Sequence, residues 1–153
     1  MKWKLPSKTK IYEALGAVAD GRVIVDGKCA KVYSSSRNKF YDVTYDPNKK
    51  AIMSSDNVSY WKGELGYPSI AFLMKMGELS YNEKTGTILK DIPWKDINQK
   101  YKNNFEKALE YILTSKTEQE REYLKKFVDK VYEEIKKFNL SYLGKKTLPP
   151  EGY

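Results

Sequence analysis

Basic and aromatic side chains are interleaved along the first half of the chain. Arg37 and Lys39 fall in one predicted turn, Lys49 and Lys50 in the next, and Lys62 follows Tyr60 and Trp61. Lysines neutralise phosphates, and an exposed aromatic ring stacks on a base, so this mixture suits single-stranded nucleic acid. Brought together by a sheet, the turns would join the flexible N-terminal lysines Lys2, Lys4, Lys8 and Lys10. The expected phosphate contacts are Arg37, Lys39, Lys49, Lys50 and Lys62, with Trp61 stacked on a base.

Other constellations offer less. Asp26-Gly27-Lys28 follows the β-prone run Arg22-Val-Ile-Val25, which looks like the Asp-x-Lys end of a restriction-type nuclease site. There, carboxylates hold a divalent ion and a lysine supports the nucleophile. Asp42, Asp46, Asp56, Glu64 and Glu78 are the acids available as a second ligand. Asp-Gly after a strand is also ordinary hairpin chemistry. Ser34-Ser-Ser36 lacks the flanking glycines of a nucleophile elbow. The chain has no His, which excludes Ser-His and Cys-His catalysis and His-dependent zinc sites. Its one Cys, Cys29, makes no internal disulfide and reads as a small, inert core side chain. Gly63-Glu-Leu-Gly66 is too short and too acidic to cradle phosphate. Ser54-Ser-Asp-Asn57 reads as a turn bonding its own backbone, with a polar ligand-facing loop as the alternative. No metal and no cofactor is implied.

The chain of 153 residues has 28 Lys plus Arg against 20 Asp plus Glu, a net charge of +8 and a pI near 9.3. Arg occurs only at 22, 37 and 121. Lys acts as a point charge rather than a bidentate fork, which favours phosphate backbones over base edges. Residues 1–62 carry 12 basic and 6 acidic side chains, residues 63–92 carry 3 and 4, and residues 93–153 carry 13 and 10. An anionic partner should therefore meet the N-terminal half. Lys and Glu enrichment with no His resembles the proteins of hyperthermophilic, archaeal sources. No apolar run approaches the roughly 18 residues of a membrane span. The N-terminus lacks the apolar core of a signal peptide, so a cytoplasmic location is expected.

These side chains need a scaffold. The spacing predicts a helix over 8–19 with Ile11, Ala14, Leu15 and Val18 on its apolar face. Short strands follow at 22–25, 28–33, 40–45 and 51–54, joined by Asp26-Gly27, Ser34–Asn38 and Asp46-Pro47-Asn48 turns, an antiparallel meander. Gly66-Tyr67-Pro68-Ser69 opens a helix that is apolar nearly all round and therefore buried. Residues 79–81 and 87–89 flank a turn at 82–86, a second hairpin. Two long helices, 93–114 and 118–139, close the chain as an antiparallel hairpin, the second opened by a Thr117-x-x-Glu120 capping box. Tyr123 and Tyr132 lie at the edge of its apolar stripe and should pack on the meander. The expected organisation is a core of residues 1–92, a helical hairpin of 93–143 packed on it, and an irregular tail of 144–153.

Within that core, Val32-Tyr-Ser-Ser-Ser36, Tyr41-Asp-Val43, Met53-Ser-Ser55 and Tyr67-Pro-Ser69 entering Ile70-Ala-Phe-Leu73 follow a strand, strand, ligand-pair, ligand-helix order. In this order residues 32–76 resemble a degenerate SWIM-type zinc-finger module. The metal ligands of that family are absent: Met53, Ser55, Tyr67 and Ser69 stand in their places. The resemblance implies a β-meander followed by a helix, a DNA- or protein-binding role, and packing of Tyr60, Trp61 and Tyr67 in place of zinc.

The sequence thus predicts an α+β fold: an N-terminal helix, an antiparallel β-meander with a buried helix, and a C-terminal antiparallel helical hairpin. The expected function is non-catalytic, weakly sequence-specific nucleic-acid binding. The alternative is a protein-interaction module in a nucleoprotein complex such as the ribosome, engaging a protein partner through the C-terminal helices. A metal-dependent nuclease is third.

Overall fold

The computed structural model describes residues 1–151. The chain opens on α1, Lys8–Ala19. Ile11, Ala14 and Leu15 are fully buried, as their spacing predicts, but Thr9, Lys10, Tyr12 and Glu13 are buried too. The helix is covered on nearly every side, which its polar residues conceal in the sequence. Gly16 makes this possible: a Cβ there would lie 3.0 Å from both the Trp94 indole nitrogen and the Leu89 carbonyl. Gly21, at φ 68°, then turns the chain into the sheet.

The sheet holds β1 (Val23–Asp26), β2 (Cys29–Tyr33), β3 (Phe40–Asp46), β4 (Ala51–Ser54) and β5 (Ser141–Tyr142), in that spatial order. The first four strands form the expected antiparallel meander, with Val32 opposite Tyr41 and Val43 opposite Ser54. β5 adds a parallel edge against β4, Ala51 beside Ser141, so the sheet is mixed. Along β3, Tyr41, Val43 and Tyr45 are buried while Asp42 and Thr44 face solvent, the period of two of a half-buried strand. Cys29 is exposed beside Thr44 rather than in the core, because it sits on the outer face of β2.

After β4 comes a single π turn, Val58–Lys62, and then α2, Tyr67–Lys75, buried from Pro68 to Met74. Trp61 is 70% exposed. It does not fill the core in place of a metal, because the π turn projects it outward past Gly63, at φ 65°. α2 packs on α1 and on all four meander strands. The expected hairpin at 79–89 is instead α3, Glu83–Ile88. Its start is fixed by Asn82, whose side chain accepts the Thr85 N–H at 2.8 Å and so supplies a helix cap.

The expected helix 93–114 is broken into α4, Trp94–Lys100, and α5, Phe105–Thr114. Lys102 and Asn103 take left-handed φ of 51° and 62°, and Asn104 caps α5 through the Lys107 N–H at 3.2 Å. Asn tolerates that region and caps well, so two adjacent Asn residues outweigh an unbroken apolar stripe. α6, Glu118–Phe138, carries the Thr117–Glu120 capping box and ends at left-handed Asn139. Residues 144–151 lack regular structure; the last two residues of the predicted tail, 152–153, lie outside the described residues.

One apolar cluster runs from Trp3 through α1, the sheet and α2 to α5, α6 and Leu140. Trp3 donates its indole N–H to the Ile52 carbonyl at 2.8 Å. The backbone of Lys2 pairs as an isolated β-bridge with Ser141, and that of Lys4 with Glu64. The N-terminal lysines are therefore not a flexible arm: Lys8 pairs with Asp129 at 2.8 Å, and Lys10 is buried. No helix of the described residues is long and apolar enough to cross a membrane.

Candidate functional site

The six residues singled out in the sequence do not form one cluster. Arg37 and Lys39 lie in the β2–β3 turn, Lys49 and Lys50 in the β3–β4 turn. The seven residues of β3 separate the two turns, roughly 20 Å at strand rise. Arg37 donates to the Asp20 carbonyl. Lys50 stands at the β5 end, where its carbonyl accepts the Ser141 N–H at 3.0 Å. Trp61 and Lys62 sit on the π turn. Lys146 closes on that turn, donating to the Tyr60 carbonyl at 3.0 Å, and the Lys4 N–H meets the Gly63 carbonyl at 2.9 Å. Trp61 rests edge-to-face on Tyr60, ring centroids 4.8 Å apart. The π turn with its exposed indole thus carries Lys62 and is met by the Lys4 backbone and the Lys146 ammonium, whereas Lys39 lines a different feature.

That feature is a cleft of about 360 Å³ between α1, the β2–β3 turn, the segment after β4, and α4. Lys10 and Glu13 enter it from adjacent turns of α1, 3.8 Å apart. Tyr41 comes from β3 and Tyr67 from the start of α2, their rings edge-to-face at 6.2 Å. Trp94, Lys95 and Asn98 come from α4, and Phe105 from α5. The Lys10 ammonium sits 3.4 Å from the centre of the Phe105 ring, a cation–π contact. Lys95 donates to Asn38 Oδ1 at 2.9 Å, and its backbone N–H to Ser35 Oγ at 2.9 Å, which ties α4 to the β2–β3 turn. Asp56 lines one wall, its carboxylate accepting the Ser59 N–H at 3.1 Å and the Ser59 hydroxyl at 2.7 Å. Of the Ser54–Asn57 stretch, Asp56 bonds the backbone three residues on, as a turn would, Ser55 Oγ instead accepts the Asp42 N–H of β3 at 2.9 Å, and Asp56 and Asn57 face the cleft.

Buried charge dominates the inner end. Desolvation raises the Glu13 carboxyl above the ordinary carboxylate range, and Lys10, Arg22 and an Asn98 hydrogen bond hold it back. Tyr41 and Tyr67 are pushed up by burial and by the nearby Glu13 and Asp56 carboxylates, so both keep their phenolic protons at neutral pH. At the outer end Lys39 is pushed down by burial and by the Lys95 charge. The cleft is bipolar: two half-buried lysines outside, a protonatable carboxyl and two phenols inside.

Glu13 makes a pH-dependent contribution. The folded chain holds its proton more tightly than the unfolded chain does. Stability from this group is thus complete in acid and falls as pH rises from the ordinary carboxylate value through the raised one. Glu13→Gln is expected to match the parent in acid and to become the more stable chain above that window. Urea midpoints for both chains across pH 4–8 check this; parallel curves would contradict it.

Sequence reasoning missed Lys10, Glu13, Tyr41, Tyr67, Lys95 and Asn98 as a group. The signal was present only in α1, where Lys10 and Glu13 flank the apolar Ile11 and Ala14. Asp26 ends β1 at an exposed turn, and among the described residues no group of three or more Cys, Asp or Glu is placed to hold a metal ion. Tyr123 and Tyr132 are partly buried against the apolar cluster, but their helix packs chiefly on α1 and α3 rather than on the meander, with Tyr123 accepting a hydrogen bond from Asn82 and Tyr132 facing Lys8.

The fold is an α+β domain in which two buried helices, a mixed sheet and the C-terminal helices frame a polar cleft. Residues 3–141 match the family described as Uncharacterised conserved protein UCP014422, and the chain belongs to that family. No curated protein and no solved structure matches it.

Proposed function

We propose that this chain binds single-stranded nucleic acid, without catalysis and with little sequence preference, along the border of β5 and the π turn. The observation that carries this reading is Trp61, 70% exposed on its edge-to-face support, on a turn that also carries Lys62, holds the Lys146 ammonium at the Tyr60 carbonyl and meets the Lys4 backbone at Gly63. An indole held out in solvent offers a large flat face with an apolar body and a polar edge. A base stacks on such a ring, and lysines around it meet the flanking phosphates. Lys49 and Lys50 extend the track at the far end of β4, and the overall charge of +8 adds long-range attraction.

Fluorescence anisotropy with labelled single- and double-stranded DNA and RNA, over a salt series, tests it. Single strands are expected to bind more tightly than duplexes, with log K falling linearly against log salt. Trp61→Ala is expected to cost about 1–3 kcal/mol of binding. Lys62→Ala and Lys146→Ala should each flatten the salt slope by about 0.7 per phosphate lost. A flat salt plot, or a Trp61→Ala chain that binds as the parent does, would overturn the reading. Cleavage of the oligonucleotide on adding magnesium would replace it with a nuclease.

A further inference from the structure

We propose that α4 and the turn behind it form a pH-sensitive strap over the cleft, held shut by Glu13 of α1 through Asn98 and released when Glu13 gives its proton to solvent. This is independent of strand binding and uses none of the residues around Trp61.

The strap is built to move as a unit. Of the seven residues of α4 only Trp94 and Asn98 are buried, and its close backbone contacts are chiefly with α5. The chain turns sharply on both sides of it, through left-handed Asp91 at φ 61° and then Lys102 and Asn103 at 51° and 62°. A few residues at the ends of an element are where a hinge absorbs its rotation. No side chain caps the start of α4, where Pro93 precedes Trp94. A short helix with few buried side chains opens at a lower free energy than the fold as a whole.

Side-chain bonds from two neighbours hold it down. Lys95 donates to Asn38 Oδ1 at 2.9 Å, and its backbone N–H to Ser35 Oγ at 2.9 Å, both on the β2–β3 turn. From α1, Glu13 bonds Asn98. Just past the strap, the Lys10 ammonium lies 3.4 Å from the centre of the Phe105 ring and 3.8 Å from the Glu13 carboxylate. Trp94 packs against Gly16, but its indole N–H is buried without a hydrogen-bond partner. Water satisfies that donor once the strap lifts, so the closed position carries a cost of its own.

The groups facing Glu13 set the direction of the switch. Lys10 on its own helix, Arg22 ahead of β1, Asp56 after β4, and the phenols of Tyr41 and Tyr67 surround it. Burial, with a smaller push from Asp56, raises its carboxyl; Lys10, Arg22 and the Asn98 bond oppose this only in part. The closed strap therefore holds the Glu13 proton more tightly than the open one, in which water reaches the carboxylate. As pH rises from the ordinary carboxylate value through the raised one, opening releases this proton, and its equilibrium constant grows by up to about tenfold per pH unit. Opening uncovers Tyr41 and Tyr67 on the far wall of the cleft.

Amide hydrogen exchange of the full chain, read by mass spectrometry across pH 4–8 and corrected for intrinsic exchange rates, tests this. The amides of α2, buried from Pro68 to Met74, report global unfolding in the same sample. Those of α4 are expected to be at least about tenfold less protected than those of α2 at every pH. Within the window they should lose protection by up to about tenfold per pH unit. Glu13→Gln keeps the size of the side chain and its bond to Asn98 but has no proton to release, so α4 protection should become independent of pH. Lys95→Met cuts the tie to the β2–β3 turn, and should lower α4 protection at every pH while leaving the slope as in the parent. The proposal is overturned if α4 amides exchange together with those of α2, since only global unfolding then opens them. Protection of α4 that is low but flat with pH overturns it too, as does a slope that survives Glu13→Gln.

Discussion

Arg22→Ala is expected to remove about 3–5 kcal/mol of stability, a large share of the roughly 5–15 kcal/mol that holds a domain together. The guanidinium is 1% exposed. Its Nε faces Asp20 Oδ2 at 3.2 Å, and its Nη1 donates to the Tyr33 carbonyl at 2.9 Å. Asp20 is itself a junction: its other carboxylate oxygen accepts the Asp91 N–H at 2.7 Å, and its carbonyl accepts Arg37. Removing the arginine leaves this buried carboxylate without its counter-charge and opens a cavity between α1 and the sheet. The remaining nitrogen, Nη2, has no hydrogen-bond partner, so the pair is already incompletely compensated. Arg22→Met keeps most of the volume and removes that unpaired donor, and it should cost clearly less than Arg22→Ala. Urea unfolding of the two variants measures the difference. Equal, small losses would mean that the guanidinium contributes only bulk.

Arg22 also marks what a sequence can and cannot convey. The meander was legible because alternation along Phe40–Tyr45 and the Asp-Gly and Asp-Pro-Asn turns are local signals. α2 was legible because a run of apolar residues between two helix-ending glycines has few other uses. α6 announced itself by its capping box. The errors came where two local rules competed. Asn82-Glu-Lys-Thr-Gly serves a hairpin or a capped helical turn, and the cap prevailed. The apolar stripe of 93–114 is continuous, yet Asn103 and Asn104 break it. β5 is two residues long and exists only because β4 offers an unpaired edge, which no local pattern encodes.

The cleft was illegible for a different reason. Its groups come from α1, β3, α2 and α4, elements that only tertiary packing brings together. Lys10 and Glu13 read as the solvent face of an amphipathic helix, because a helix in a sequence is assigned one wet side by default. Coverage of that side by α4, admitted at Gly16, turned surface charges into buried ones. Of the six residues chosen for nucleic acid, Lys39 alone lines the cleft. Basic turns were correctly seen as turns; which of them share a face depends on the length of β3.

Gly66→Ala is the second large effect, about 2–4 kcal/mol, and it ties the cleft to the stability of the fold. Gly66 caps α2 with φ −88°, a conformation open to alanine, so the backbone does not oppose the change. The obstacle is Asp56: a Cβ on residue 66 would lie 2.1 Å from Oδ2 and 2.6 Å from Cγ. The carboxylate cannot simply swing away, because it is buried and holds the Ser59 N–H and hydroxyl. Either α2 shifts or the Ser59 bonds break; the first is overpacking, the second leaves buried polar groups unpaired. Asp56→Ala alone loses those bonds but relieves no strain. Combined with Gly66→Ala it removes the clash, so the double variant should be more stable than the two single losses added together predict. A cycle of urea midpoints for the four chains gives the coupling directly. Additive losses, or a Gly66→Ala chain within about 0.5 kcal/mol of the parent, would show that Asp56 moves freely.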